Sequence, residues 1–294
     1  MKQPVYVGID GGNDSIKAYD GETVVLQNIV CPGLERKVGP DNDKKEPEDA
    51  LDLEIKSDNL PGGGGRWFLG RLATLPQYAQ FATEMGPEGK YDSTQIQVMV
   101  IGALARLALN HLGPQDNGIT FHGVAGLPVR QWEKHHKEFA QRLRGKYAVS
   151  YCTTPRARRR TVTINLEKVK VLPEGLSAVY NQVYADDFTV ADPEAEQGIV
   201  GVVDLGGGTV DLPVVEAMAF DSDRSAGESL GSNAYIDQIR DAVQSLYSDP
   251  ELLSSRAQVI GALKSRRADG HVIIKQAGQE RDITAIVDRY ADLY

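Results

Sequence analysis

Gly201-Val202-Val203-Asp204-Leu205-Gly206-Gly207-Gly208-Thr209-Val210-Asp211-Leu212 is an apolar run broken by an acid, three glycines, a hydroxyl and a second acid. The pattern predicts a strand, a tight turn and a second strand. Three consecutive glycines remove every Cβ from the turn, so its amides can converge on an anionic oxygen, and φ > 0 is open to it where the turn requires. Asp204, ending the first strand, is placed to hold a hydrated metal ion beside that anion. Thr209 adds a hydroxyl donor, and Asp211, two residues on, shares the face of Thr209. An ordinary glycine-rich hairpin has the same composition, so this stretch taken alone leaves both readings open.

A second copy of the pattern lies near the N-terminus. Val5-Tyr6-Val7-Gly8-Ile9-Asp10-Gly11-Gly12-Asn13-Asp14-Ser15-Ile16-Lys17-Ala18-Tyr19 again runs strand, acid, paired glycines, hydroxyl, strand. Two such hairpins far apart in one chain suggest a duplicated fold whose halves each give one phosphate loop to a shared cleft. On these residues the chain resembles the actin, heat-shock chaperone and sugar kinase superfamily, an α/β, ribonuclease H-like duplicated fold of two domains around a nucleotide cleft. The resemblance implies a first phosphate motif from Asp10 to Lys17, with Gly11, Gly12, Asn13 and Asp14 between. It implies a second from Asp204 to Asp211, carried by Gly206, Gly207, Gly208 and Thr209.

The 294 residues are enough for two cores of ordinary domain size. No apolar run approaches the roughly 20 residues needed to span a bilayer, and Met1-Lys2-Gln3-Pro4 leads straight into a strand, so a cytoplasmic protein is expected. Cys31 and Cys152 are the only cysteines, too few for a disulfide framework or a thiolate metal cage. A net charge of -9 argues against wholesale nucleic-acid binding while leaving room for a local basic patch.

Along the chain, residues 24–30 continue the first sheet. Residues 35–66 turn dense in Asp, Glu, Lys, Pro and Gly, which predicts a small, loop-rich insertion with one strand-like piece at 51–55. The glycine run at 62–65 lacks a following acid, lysine or hydroxyl and reads as a flexible turn into a strand at 67–73. Ser93 or Thr94 caps a core helix whose apolar positions recur at helical spacing until Gly113-Pro114 stops it. Residues 119–125 are a strand ended by Gly126-Leu127-Pro128, and 132–143 an amphipathic helix. Its neighbours His135 and His136 diverge by about 100° and are expected on the solvated surface. Pro155-Arg156-Ala157-Arg158-Arg159-Arg160 is the one concentrated basic patch, either a solvated hairpin turn or an electrostatic contact.

Gly126-Leu127-Pro128 after a central strand is similar to the plasmid-segregating branch of the bacterial actins, the ParM/StbA type. So is Pro173-Glu174-Gly175, at the start of a helix that in such proteins crosses between the domains. That resemblance makes Glu174 the candidate for orienting or deprotonating the attacking water, and a carboxylate at a helix start is also favoured by the macrodipole. Residues 186–197 are expected as a loop, and Ala226-Gly227-Glu228-Ser229-Leu230-Gly231 as a glycine-rich lead into a helix. By resemblance Gly227 and Gly231 then lie by the nucleotide. Further elements are expected at 252–263 (helix), 271–274 (strand) and 283–294 (helix capped by Asp282).

The expected protein is thus an ATPase of the ParM/StbA type, with residues 1–182 as the first domain, an insertion at about 32–92, and residues 183–294 as the second. The resemblance implies ATP, with GTP as a competitor, and Mg²⁺ held through water by Asp10 and Asp204. Lys17 contacts the phosphates and Glu174 the water. It also implies self-assembly into filaments that push plasmid copies apart through a DNA-binding adaptor on the plasmid centromere. Direct contact with membrane or nucleic acid is not expected. A small-molecule kinase of the same superfamily and a non-hydrolysing nucleotide-binding scaffold remain as alternatives. Such proteins also carry a late glycine-rich strand that packs on the adenine, and here the late glycines Gly261, Gly270 and Gly278 stand alone. Truncation is the expected reason, ahead of loss or supply by a partner chain, and with it come weak ATP binding and an incomplete second domain.

Overall fold

The computed structural model of the chain describes residues 3–36, 48–86, 89–153, 157, 159–276 and 278–291. It forms two compact units, 1–229 and 230–294. The first begins with an antiparallel meander, β1 Val5–Gly11, β2 Ser15–Tyr19 and β3 Thr23–Gln27, followed by β4 Ile29–Pro32. Then come β5 Ala50–Lys56, β6 Gly64–Gly70, the short helix α1 Pro76–Ala79, β7 Thr83–Glu84 and a 3-10 turn, Lys90–Asp92. Helix α2 Thr94–His111 leads to β8 Gly118–Leu127, α3 Val129–Leu143, β9 Gly145–Tyr151, β10 Thr161–Pro173 and α4 Leu176–Val183. These strands make one ten-stranded sheet in the order β3-β2-β1-β8-β10-β9-β5-β6-β4-β7, with β1, β8 and β10 parallel at its centre.

Alternation along the strands decides what faces what. In β1, Val7 and Ile9 are buried while Gly8 and Asp10 point to the other side; in β2, Ile16 and Ala18 are buried while Lys17 and Tyr19 are exposed. The buried sets close on α2, which is buried nearly all round. Its N-terminus is fixed by Ser93, whose Oγ accepts from the Ile96 amide. Gly102 lets α2 pack closely on the sheet, since a Cβ there would push the Leu69 side chain of β6 aside, with Leu26 of β3 3.9 Å away.

The strand-like piece expected at 51–55 forms β5, with Leu51, Leu53 and Ile55 fully buried against the same core, and it pairs with β6, which starts earlier than the strand expected at 67–73, within the glycine run. Asp52 within β5 is also inaccessible, and its charge is met by a bidentate ion pair from Arg66 at 2.7 Å on both oxygens and by Thr153. Of the basic patch, residues 154–156 and 158 lie outside the described residues. Arg160 is not free, since its guanidinium donates to the carbonyls of Gly113 and Asp116.

Residues 186–197 are not all loop: Asp192 Oδ1 caps a short helix, α5 Pro193–Gln197, through the Ala195 amide. A second meander follows, β11 Ile199–Gly201 and β12 Asp204–Leu205 along one edge of β13 Val210–Glu216, with β14 Ala219–Glu228 on the other. Pro213 has no amide to give, so the β13–β14 ladder shifts register beside it and Ser225 Oγ accepts from Val214 instead. Leu176, Val179 and Val183 of α4 pack on Val215. Gly227 therefore lies inside β14, opposite Asp211, and not in a turn leading into a helix.

The second unit contains α6 Asn233–Tyr247, α7 Arg256–Lys264, a hairpin of β15 Ile273–Gln276 and β16 Gln279–Asp282, and α8 Thr284–Ala291. Its core is Ile236, Ile239, Val243, Val259, Val272 and Val287 with their neighbours. Helix α7 starts later than the apolar pattern from 252 suggests, because Ser255 caps it and Leu252 and Leu253 are buried in the preceding turn. Strand β16, with only polar residues, gave no apolar signal. Asp282 does serve α8, accepting from the Thr284 amide at 2.9 Å. Among the described residues no helix is long and apolar enough to cross a membrane.

Candidate functional site

The two acid-glycine hairpins face each other within the first unit across an open cleft of about 710 Å³. In the first, Asp10 and Lys17 are direct cross-strand partners, so both leave the sheet on one side and Lys17 Nζ lies 3.0 Å from Asp10 Oδ2. Asp10 holds the lysine charged, raising its pKa first through this hydrogen bond, with Asp204 adding to it. Gly12 turns the loop where a Cβ would meet the Ser15 carbonyl at 2.8 Å. Gly11 faces inward, toward Ile96. Asn13 and Asp14 line the cleft, and the Asn13 amide oxygen is buried with no hydrogen-bond partner in the protein.

In the second hairpin, Leu205 pairs with Val210 and the four residues Gly206 to Thr209 make the loop, closed by the Gly206 amide on the Thr209 carbonyl at 2.9 Å. A Cβ on Gly207 would collide with the Asp14 carboxylate, whose Cγ would be 2.7 Å away, so any side chain there would have to displace Asp14. Asp204 lines the cleft, and its pKa is raised by burial, then by Asp211 and Asp10. Asp211 takes another course. It is buried, and its Oδ1 accepts from the Val129 amide at 2.7 Å, fixing the start of α3 to the hairpin. Asp211→Ala is expected to lower the unfolding free energy by about 1–2 kcal/mol, read from the urea midpoint; an unmoved midpoint would show this bond to be dispensable. Gly227 sits behind it, where a Cβ would meet Asp211 Oδ1 at 2.8 Å. Gly231 belongs to the second unit.

The two short motifs read separately in the sequence meet in space. The Glu174 amide donates to the Leu127 carbonyl at 2.9 Å, and Gly126 leaves room for the Glu174 side chain, since a Cβ there would lie 3.1 Å from Cγ. Gly175 takes φ 81° and lets α4 start against Pro213. Glu174 thus precedes α4, whose N-cap is Gly175, and its charge partner is not the helix but Lys90, at 2.5 Å. Burial raises the Glu174 pKa, and Lys90 opposes that shift.

Lys90 carries no signal in the sequence, as a single lysine in a Gly-Lys-Tyr-Asp turn, yet it is 1% exposed and lines the cleft. Asn28 is also new. It follows Gln27 in a largely apolar run, is buried, and donates to the Gly12 carbonyl at 2.9 Å while Gln95 braces it from α2. His135 and His136 are half-buried, not solvated. His135 stacks on Tyr91 with ring centroids 3.6 Å apart, and His136 stacks on Trp132.

These residues suit a polyphosphate with a divalent cation. Two glycine-bearing loops present backbone to the cleft and a lysine stands beside one of them, while the orphan Asn13 side-chain oxygen, an acceptor, suits a water of the cation rather than a phosphate oxygen. Among the described residues no three His, Cys, Asp or Glu side chains cluster as a metal cage, so a cation here has to take most of its ligands from phosphate and water, as Mg²⁺ does.

The fold and the cleft together define an actin-like architecture. Residues 8–176 match the family model described as the N-terminal domain of actin like proteins, and the chain belongs to that family. Among solved structures it is similar to the actin-like protein Alp7A, at 20% identity over 98% of this chain and 76% of that one, with a TM-score of 0.68. It is similar also to Bacillus thuringiensis ParM with ATP, at 19% identity over 99% and 82%, TM-score 0.66. A subunit of a 15-stranded ParM filament from Clostridium botulinum aligns at 17% identity over 99% and 81%, TM-score 0.74. A sequence search of curated proteins finds no match.

Proposed function

We propose that the protein binds and hydrolyses ATP in the cleft between the two hairpins, and that it assembles with further copies of itself into filaments that segregate plasmid DNA. The observation that carries the hydrolytic reading is the convergence of Asp10, Lys17, Asp204 and Glu174 on one cleft between two glycine-bearing loops. Asp10 and Asp204 hold the waters of Mg²⁺, which when bound supplies charge neutralisation for the phosphates. Lys17 binds phosphate oxygens, and Asn13, Thr209 and the loop amides add donors. Glu174 orients the attacking water and accepts its proton; positioning and electrostatics carry the reaction, with no covalent intermediate. We assign residues 1–182 and 183–294 to the two actin-like domains; that boundary falls inside the first compact unit. The filament is drawn from the likeness to the ParM filament, and plasmid segregation through a DNA-binding adaptor from the ParM/StbA resemblance of Gly126-Leu127-Pro128 and Pro173-Glu174-Gly175.

Incubation with Mg-ATP or Mg-GTP, with phosphate release and light scattering followed together, tests the proposal. Turnover accompanied by rising scattering is the expected result. Turnover only on addition of a sugar or acetate would make the protein a small-molecule kinase, and nucleotide binding without turnover would make it a scaffold.

A further inference from the structure

We propose that the 3-10 turn Lys90–Asp92 is a positioning clamp for Glu174, in which Lys90 holds the carboxylate from within the cleft while Tyr91 anchors the turn to α3 from outside. The inference rests on the role given to Glu174 above. A lysine is seldom buried to this degree without a partner, and the partner here is Glu174 Oε1, 2.5 Å from Nζ. The carboxylate is stabilised by such a cation, because burial works against its charge and so do the negative charges of Asp211 on β13 and Asp10 on β1.

The turn is fixed at successive points. It follows Gly89 at φ 72°, a left-handed conformation that suits glycine. The Tyr91 ring lies parallel to that of His135 on α3, with 6° between the planes, and the Tyr91 amide donates to Gln131 Oε1 at 3.3 Å. One residue past the turn, Ser93 caps α2. Lys90 is thereby held between two helices and cannot follow a drifting carboxylate; instead the carboxylate is drawn to it. Helix α3 also receives Asp211 at its first amide, so one helix references both the clamp and the second hairpin. Lys90 acts through Glu174 and is a positioning residue, and Tyr91 acts one step further out.

The test compares the parent, Lys90→Met, Glu174→Gln, the double variant and Tyr91→Ala. Each is assayed for kcat and KM with Mg-ATP and for Tm without nucleotide. Lys90→Met is expected to lower kcat by about tenfold or more with KM within about twofold, the pattern of an interaction that serves the transition state. In the Glu174→Gln background Lys90→Met should change kcat no further, and its Tm loss should shrink because no orphaned carboxylate remains. Tyr91→Ala should lower kcat several-fold, again with KM kept. Multiplicative kcat losses in the double variant, or a raised KM with unchanged kcat, would make Lys90 a direct phosphate contact and overturn the clamp. Additive Tm losses would overturn it too. If Glu174→Gln keeps the parent kcat, the water-orienting role fails by itself, while the Tm cycle still reports whether Lys90 and Glu174 act as a pair.

Discussion

Asp204→Ala is expected to reduce Mg-dependent ATP hydrolysis by about 100-fold or more, a loss of roughly 3 kcal/mol in transition-state stabilisation. Asp204 opens β12 with its carboxylate lining the cleft, and burial, Asp211 and Asp10 all work against its charge. Asp211 is already committed to the Val129 amide and Lys17 to Asp10, so the Asp204 charge is left for something that enters the cleft. A divalent cation relieves the repulsion between Asp10 and Asp204, and that relief is lost when one of them is removed. The sign reverses without metal. An unneutralised carboxylate repels phosphate, so in chelator Asp204→Ala should bind ATP more tightly than the parent, as isothermal titration would read. Unchanged turnover in a folded variant, or weaker binding in chelator, would sink the assignment of Asp204 as a metal-positioning group.

Both hairpins were legible in the sequence because their chemistry is local. An acid at the end of an apolar run followed by glycines reads as a strand and a turn, and β1–β2 follows the residues quoted for it, while the strand expected to end at Asp204 is broken at Val202 and Val203 into β11 and β12 before the turn into β13. The ends of α2 and β8 were readable for the same reason, through Ser93 and Pro128. What failed were readings that depend on distant neighbours. Gly227 has the composition of a turn leading into a helix, but it lies opposite Asp211 in a ladder, a pairing set by β13. In the acid-rich stretch the alternation at 51–55 did mark β5, but the ion pair that lets Asp52 sit inside it depends on Arg66, which only the pairing with β6 brings to it. His135 belongs to an amphipathic helix whose polar face reads as solvated, and only the packing of Tyr91 buries it. Lys90 shows the limit most clearly. Nothing in its neighbours marks it, and its importance comes wholly from a carboxylate that the chain brings to it from residue 174.

That pair sets the second large effect. Glu174→Ala should lower kcat by about 100-fold, within the usual range for losing a general base, while ATP affinity does not fall. The argument runs through charge. Glu174 is a largely covered carboxylate whose ionised form Lys90 favours against the burial that raises its pKa, and the ion pair so formed is close to neutral toward an incoming phosphate. Removing the carboxylate leaves the Lys90 ammonium, almost inaccessible to solvent, without its counter-ion in the wall of the cleft. A lone buried cation costs stability, and the nucleotide-free variant should melt below the parent. The same cation now faces the phosphates unopposed, so ATP should bind at least as tightly as before and should recover much of the lost Tm. Slowed cleavage, lowered Tm without nucleotide and undiminished affinity are thus expected together in one variant. They separate a water-positioning carboxylate from a binding one, for which affinity would fall with cleavage, and from a purely structural one, for which the Tm loss would come with a normal rate. Single-turnover hydrolysis, titration calorimetry and thermal melting on the same preparation decide among the three.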